Sequence, residues 1–379
     1  MNTSLMIANR HTFFGPGSLR ELLPLLHSEA VPTLLFCGQS FLQSAAWRSL
    51  EAELSPLLAG TEIVRHEASP DEIDVWVDRW RNKVARVVAI GGGSVLDAAK
   101  AFATMSQHSL PTLRYLEKVG DTAVTGKTLP LIAVPTTAGT GSEVTQNAVV
   151  TDKKTIQVKA SLRHANYVPD VAILDPDLLK GAPENLLACC AIDAFTHLFE
   201  AYLSSKGNLF TRQTALNGLR AFVHAWPNLN RSDEAGDDAR QQMLLASWLG
   251  GVSLSMAGLG VIHGIAGELG AIRDFHHGEV CSRLLLPFLT LLADEENAQQ
   301  QALMSALADE LFPGFTVPPA RLLAAWLKDN AIVRFWEAPP SLSEEEVRWV
   351  LARSNSKNAL VTYSEAQQRF MIEEAYQVA

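Results

Sequence analysis

Arg86-Val-Val-Ala-Ile-Gly-Gly-Gly-Ser-Val-Leu-Asp-Ala-Ala-Lys100 decides the fold class of this 379-residue chain. Arg86–Ile90 reads as a strand, apolar without a break, which suits a strand covered on both faces of a parallel sheet. Ser94 to Met105 carries a helical pattern and starts directly from the glycine turn. Glycines let backbone amides come close to phosphate oxygens, and a helix N-terminus adds partial positive charge there. The run Gly91-Gly92-Gly93-Ser94 is not the G-x-G-x-x-G fingerprint, but its place between a strand and a helix favours a phosphate loop over a plain turn.

Working outward, Thr33–Cys37, Glu62–Arg65 and Leu131–Val134 are further short apolar runs that read as strands. Ser69 and Pro70 mark a helix start, as N-cap and first helical residue. The segment from Pro135 to Thr145, rich in hydroxyls and glycine, offers many neutral donors to a pyrophosphate or an amide. After Asp175-Pro-Asp-Leu178 the strand signals fade, and Asn185–Leu203, Thr211–Ala225, Asp237–Leu254 and Val261–Ile272 carry helical periodicity. Ala338-Pro339-Pro340 reads as a loop and Glu344–Glu346 as an acidic helix start. The pattern predicts an α/β dinucleotide-binding domain over residues 1–180 with a parallel sheet, and an all-α domain over 181–379.

Composition narrows the partners. A formal charge of −10 argues against nucleic acid or an anionic membrane surface. The four cysteines form no C-x-x-C pair and read as buried, reduced thiols. The start lacks a basic region followed by an apolar one, and no run is long enough for a membrane span. A cytoplasmic chain with no membrane or nucleic-acid partner is expected.

Four residues downstream have the chemistry of metal ligands. Asp193 and His197 lie four apart, one turn along the same helix face. His263 and His277 sit in glycine-flanked segments, V-I-H-G and H-H-G. Three imidazoles and one carboxylate suit Fe2+ or Zn2+ and leave room for a substrate oxygen. His276 competes with His277, which is preferred because Gly278 follows it and allows close approach to the ion. Metal together with dinucleotide points to redox chemistry on an alcohol or aldehyde.

These pieces in order resemble the iron-dependent (group III) alcohol dehydrogenases over essentially the whole chain. The matching stretches are F-G-P-G-S-L from residue 14, G-G-G-S-V-L-D-A-A-K, P-T-T-A-G-T-G-S-E-V-T with Thr151-Asp152, D-P-D-L, D-A-F-T-H-L-F-E-A-Y, and the V-I-H-G and H-H-G segments. The resemblance implies a dehydroquinate synthase-like fold, with cofactor and ion held in a cleft between the two domains. It implies that Gly92, Gly93, Ser94 and Asp97 face the pyrophosphate and nicotinamide side of the cofactor, and that Thr136, Thr137, Thr140 and Ser142 line it from the second loop. Lys159 matches a lysine near the cofactor ribose, Leu178 the leucine of D-P-x-L, and Ser69 a position where the family often has Asn before Pro. Asn147 falls near the substrate pocket of some members. A homodimer or larger homo-oligomer acting on a small aldehyde or primary alcohol is implied with it.

The chain departs from the family at two places. NAD-preferring members commonly carry an acidic residue after the first strand, where it binds the ribose 2′-hydroxyl. Here Phe36-Cys37-Gly38-Gln39-Ser40 has no carboxylate, and Ser40 could donate to a 2′-phosphate, so NADPH is favoured over NADH. Many relatives also place a histidine four residues after the equivalent of His263, as a proton relay; here that position is Gly267. Two other enzymes of the same fold compete with the reading: a synthase of the dehydroquinate kind, which recycles its cofactor, and a metal-free reductase of the maleylacetate kind. A binding or scaffold protein on the same frame is the non-enzymatic alternative.

Overall fold

The computed structural model describes residues 5–314, 316–331, 333 and 339–378. Two compact units divide the chain, one of Ile7–Gly181 and the other built mainly from Ala182–Ala379. The first unit holds strands β1 (His11–Phe14), β2 (Thr33–Cys37), β3 (Leu58–Ile63), β4 (Arg86–Gly91), β5 (Leu131–Pro135), β6 (Asn147–Asp152), β7 (Val158–Arg163) and β8 (Val171–Leu174). Its helices are α1 (Leu22–Ser28), α2 (Gln39–Leu42), α3 (Ala45–Leu54), α4 (Pro70–Trp80) and α5 (Gly93–Met105). Six strands form one sheet in the order β1-β8-β5-β4-β2-β3, every pair parallel.

The unbroken apolar runs follow from helices on both faces. Leu34, Phe36, Val87 and Ala89 point to one side, where Ile73 and Trp76 of α4 and Phe102 of α5 cover them. Leu35, Cys37, Val88 and Ile90 point to the other, against Leu22 and Leu26 of α1 and Trp47 and Leu50 of α3. Alternate residues of one strand therefore serve two cores, as the two-residue period of a strand requires. The chain leaves β2 for β3 on one side and returns to β4 on the other. In open parallel sheets, that reversal is where the loops at the strands' carboxyl ends hold a ligand.

Five strands differ from the sequence expectation. The predicted Glu62–Arg65 strand is β3, which begins at Leu58 and ends at Ile63. Strand β1 is an edge strand with mostly exposed residues, and β8 is a four-residue strand just before Asp175. The β6 and β7 strands pair antiparallel as a separate hairpin.

The second unit contains α6 (Glu184–Tyr202), α7 (Leu209–Ala225), α8 (Glu234–Ala257), α9 (Val261–Ile272), α10 (His277–Ala293), α11 (Ala298–Leu311), α12 (Pro319–Asp329), α13 (Glu344–Leu351) and α14 (Glu365–Ala375). It is mostly helical rather than all helical, because Ser341–Leu342 and Gln377–Val378 pair as two short parallel strands, β9 and β10. Helix α6 is buried without interruption from Ala188 to Tyr202, the signature of a helix surrounded by others; α7, α8 and α10 pack on it. The acidic start at Glu344–Glu346 opens α13, where Ser343 and Glu346 form a capping box. Ala338 of the predicted Ala338-Pro339-Pro340 loop lies outside the described residues. No single helix among the described residues is long and apolar enough to cross a membrane.

Candidate functional site

Three elements of the helical unit converge on Asp193. Helix α6 carries Asp193 and His197 four residues apart, α9 carries His263 and α10 carries His277 at its first position. From Asp193 Oδ1 the distances are 3.5 Å to His263 Nε2, 3.6 Å to His197 Nε2 and 3.8 Å to His277 Nε2. Metal–ligand bonds of about 2.0–2.1 Å place two tetrahedral donors about 3.3–3.4 Å apart. Each of these distances suits an ion shared with Asp193; the donors of Asp193, His263 and His277, together with Cys281, all lie within 4.8 Å of one another, a group that leaves out His197. Asp193 Oδ1 is buried and has no hydrogen-bond partner among the described residues. A buried carboxylate oxygen without a donor is costly, and a cation removes the cost. Burial works against its charge, yet the imidazoles of His197, His277 and His263 outweigh that and hold the Asp193 carboxyl far below its usual range.

His276 is exposed and N-caps α10, while His277 turns inward. Gly278 does allow a close approach, but to protein: a Cβ there would lie 2.3 Å from the Cys189 carbonyl oxygen and 3.4 Å from Asp193 Cβ. The glycine lets α10 press onto α6 at the turn that carries Asp193.

One functional residue escaped the sequence reading. Glu200, buried in α6, accepts a hydrogen bond from His263 Nδ1 at 2.7 Å and from the amides of Gly260 at 2.9 Å and Ile262 at 2.7 Å. It therefore caps α9 and fixes the His263 ring with Nε2 towards Asp193, as an outer carboxylate does in many metal sites. Burial opposes its charge, but the His263 bond and the two amides hold Glu200 below its ordinary range. The available signal was spacing, since Asp193, His197 and Glu200 fall on one face at i, i+4 and i+7. Glu200→Gln is expected to keep the fold and weaken metal binding about 10–100-fold. Competition with a chromophoric chelator measures it, and unchanged affinity would refute the role.

The candidate cofactor residues of the glycine and threonine loops, with Gly38 and Ser40, follow the carboxyl ends of β2, β4 and β5, whereas Ser69, Lys159 and Leu178 lie elsewhere in the α/β unit. Gly38 follows β2 and Gly92 N-caps α5. Thr136 follows β5, its amide bonded to the Gly91 carbonyl at 2.9 Å. The glycine loop and the threonine loop touch. A Cβ on Gly93 would lie 2.5 Å from Thr140 Cγ2, and one on Gly92 would lie 3.3 Å from Thr137 Oγ1. The glycines are thus required by the packing of the two loops, whatever else they approach. Ser94 is half-buried in the first turn of α5, and Ser40 is exposed in α2.

Asp97 accepts from Ser142 Oγ at 2.5 Å and sits 3.8 Å from Lys100 Nζ. Lys100, fully buried, donates to the carbonyls of Ser142, Thr145 and Asn147 at 2.7–3.0 Å and to the hydroxyls of Ser142 and Thr145. Burial pushes its ammonium down to about 8, against the pull of Asp97 and Glu143. Lys100 therefore pins the threonine loop to α5. Asn147 Oδ1 is buried with no hydrogen-bond partner among the described residues. Lys159 pairs with Glu67 at 2.5 Å, and Thr151 Oγ1 donates to the same carboxylate. The hydroxyl of Ser69 is engaged in a capping box with Glu72. Leu178 stands apart in a 3-10 turn, packed on the core face that holds Leu35 and Ile90. Just before it, Asp175 accepts from the amides of Gly17 and Leu19, which ties D-P-D-L to F-G-P-G-S-L.

Glu143, within the same loop, is pushed up to about 7 by burial. Its folded value lies above the unfolded one, so the stability it contributes is fully present at low pH and lost as pH rises through about 7. Glu143→Gln is expected to flatten the fall in unfolding midpoint between pH 4.5 and about pH 7. Parallel pH profiles for variant and wild type would refute this.

The model of the iron-containing alcohol dehydrogenases matches residues 9–176, and that of the family's C-terminal part matches residues 187–348. The chain belongs to the iron-containing alcohol dehydrogenase family. It is an oxidoreductase. It is 42% identical to the probable alcohol dehydrogenase EutG of Escherichia coli (strain K12), over 73% of this chain and 70% of that protein. To the NADPH-dependent butanol dehydrogenase of Clostridium saccharobutylicum it is 32% identical over 77% of this chain and 75% of the relative. Alignments to other relatives span as little as 49% of the relative. The structure of an iron-containing alcohol dehydrogenase from Thermotoga maritima matches with a TM-score of 0.79 and 26% identity, covering 98% of this chain and 99% of that one.

Proposed function

We propose that this member of the family carries out reversible hydride transfer between NAD(P)H and a small aldehyde or primary alcohol, with one Fe2+ or Zn2+ ion held by Asp193, His197, His263 and His277. The observation that carries the proposal is the buried, unpartnered oxygen of Asp193 facing three imidazole nitrogens at 3.5–3.8 Å. When bound, the ion polarises a carbonyl oxygen or lowers an alcohol's pKa, and nicotinamide carries the hydride.

The residues themselves supply orientation and charge. Asp193 balances the ion's charge, and Glu200 keeps the His263 proton on Nδ1 so that Nε2 stays a lone-pair donor. In the α/β unit, Gly92, Gly93, Ser94 and Asp97, with Thr136, Thr137, Thr140 and Ser142, form the surface offered to the cofactor; Gly38, Ser69, Lys159 and Leu178 complete that proposal, with Asn147 towards the substrate. Ser40 in place of a carboxylate removes the repulsion a 2′-phosphate would meet, which favours NADPH, as the name of the butanol dehydrogenase says of that relative. Gly267 brings no imidazole, and an added Cβ there meets nothing within 4 Å, so the position leaves space rather than a proton relay. The neighbouring Glu268 lies 3.6 Å from Arg353. A cytoplasmic homo-oligomer, at least a dimer, belongs to the same proposal.

A panel of short aldehydes with NADPH and with NADH, on protein reconstituted with Fe2+ or Zn2+, tests the reading. Turnover of at least one aldehyde with higher kcat/KM for NADPH is expected. Turnover of none would overturn the activity, and a preference for NADH of about tenfold or more, roughly 1.4 kcal/mol, would overturn the cofactor choice.

A further inference from the structure

The geometry points to Cys281 as a sulfur donor to the same metal centre, a fifth ligand from α10 beside the nitrogen and oxygen set. The inference rests on the metal-centre reading above and extends it. Cys281 lies one turn after His277, on the same helix face. Its Sγ is 3.6 Å from His263 Nε2 and 3.8 Å from His277 Nε2. Donor atoms of Asp193, His263, His277 and Cys281 all fall within 4.8 Å of one another. A metal–sulfur bond of about 2.3 Å and a metal–nitrogen bond of about 2.0 Å set donors about 3.1–3.7 Å apart at the angles of a five-ligand set. The two sulfur–nitrogen distances lie at or just past the wide end of that range.

Two further observations separate this thiol from an inert core cysteine. Cys281 is fully buried, and its sulfur meets two imidazole nitrogens of the site. Asp193 Oδ1, itself buried and lacking a hydrogen-bond partner among the described residues, faces the same point from α6. An ion there would meet carboxylate, imidazole and sulfur together. Binding releases the thiol proton to solvent and leaves a thiolate on the ion. Zinc accepts such mixed sets and expands to five ligands when required, and thiolate is the softest donor in this one.

The test uses the full-length protein loaded with Co2+, which reports a thiolate ligand by an intense charge-transfer absorption in the near ultraviolet. Metal analysis runs beside the spectrum. One Co2+ per chain with that absorption, lost in Cys281→Ser while the Co2+ stays bound, is the expected result. One Co2+ per chain without the absorption overturns the sulfur donor but leaves the metal centre standing. No bound Co2+ overturns both. Should Cys281→Ser not fold, Cys189→Ser and Cys190→Ser decide the source: absorption retained in both supports Cys281, and its loss in either overturns the assignment. No readout here depends on turnover.

Discussion

His263→Ala is expected to lose its metal and at least about a thousandfold in kcat, while the helical unit stays folded. The size follows from the chemistry supplied by an ion, worth several kcal/mol at the transition state, with each 1.36 kcal/mol giving a factor of ten. His263 is singled out because it is held from two sides. Its Nδ1 meets Glu200 at 2.7 Å, and its Nε2 lies 3.5 Å from Asp193 Oδ1. Removing the ring takes from Glu200 its one side-chain partner among the described residues, although the Gly260 and Ile262 amides still reach it, and takes one imidazole from the neighbourhood of Asp193. Some loss of stability is therefore expected as well, about 1–3 kcal/mol for the unsatisfied group. Metal content, far-ultraviolet circular dichroism and kcat measured on one preparation separate these effects. Full activity, or a full complement of metal, would contradict the assignment.

Lys100→Met is expected to destabilise the α/β unit by about 3–5 kcal/mol, the cost of removing one partner from a buried charged network. Five acceptors surround Nζ within 3.2 Å: the carbonyls of Ser142, Thr145 and Asn147 and the hydroxyls of Ser142 and Thr145. Methionine fills much of the volume but satisfies none of them. Asp97 would also lose the cation 3.8 Å away. Because the same lysine pins the threonine loop to α5, KM for the nicotinamide cofactor should rise together with the loss of stability. Denaturant midpoints and cofactor KM measure the two effects. A change in stability below about 1 kcal/mol would show that the network does not hold the loop.

The parallel sheet was legible because its central strands are apolar on both faces, and β2, β4 and β5 match their expected positions. The strands that escaped lack that signal. β1 is an exposed edge strand, and the β6–β7 hairpin mixes asparagine, threonine, lysine and serine with its apolar residues. Their pairing is set by neighbours far along the chain rather than by their own pattern. The four proposed metal residues stand out in the sequence by residue type and by the four-residue gap on α6. Glu200 was not, because its partner His263 is 63 residues away and only the fold joins them. Cys281 looks in the sequence like the other three buried thiols, and only the fold, through α9 and α10, brings two imidazole nitrogens to its sulfur. Lys100 closed the glycine motif in the sequence, but its five acceptors lie 42 to 47 residues further on.

Metal-dependent hydride transfer is tested by the absorbance of NAD(P)H during reaction with an aldehyde, before and after removal of the metal. One cofactor oxidised per aldehyde reduced is expected, with loss of that oxidation on chelation and its return on adding Fe2+ or Zn2+. Product formed with no net change in cofactor, or reduction that continues undiminished in metal-free protein, would contradict it.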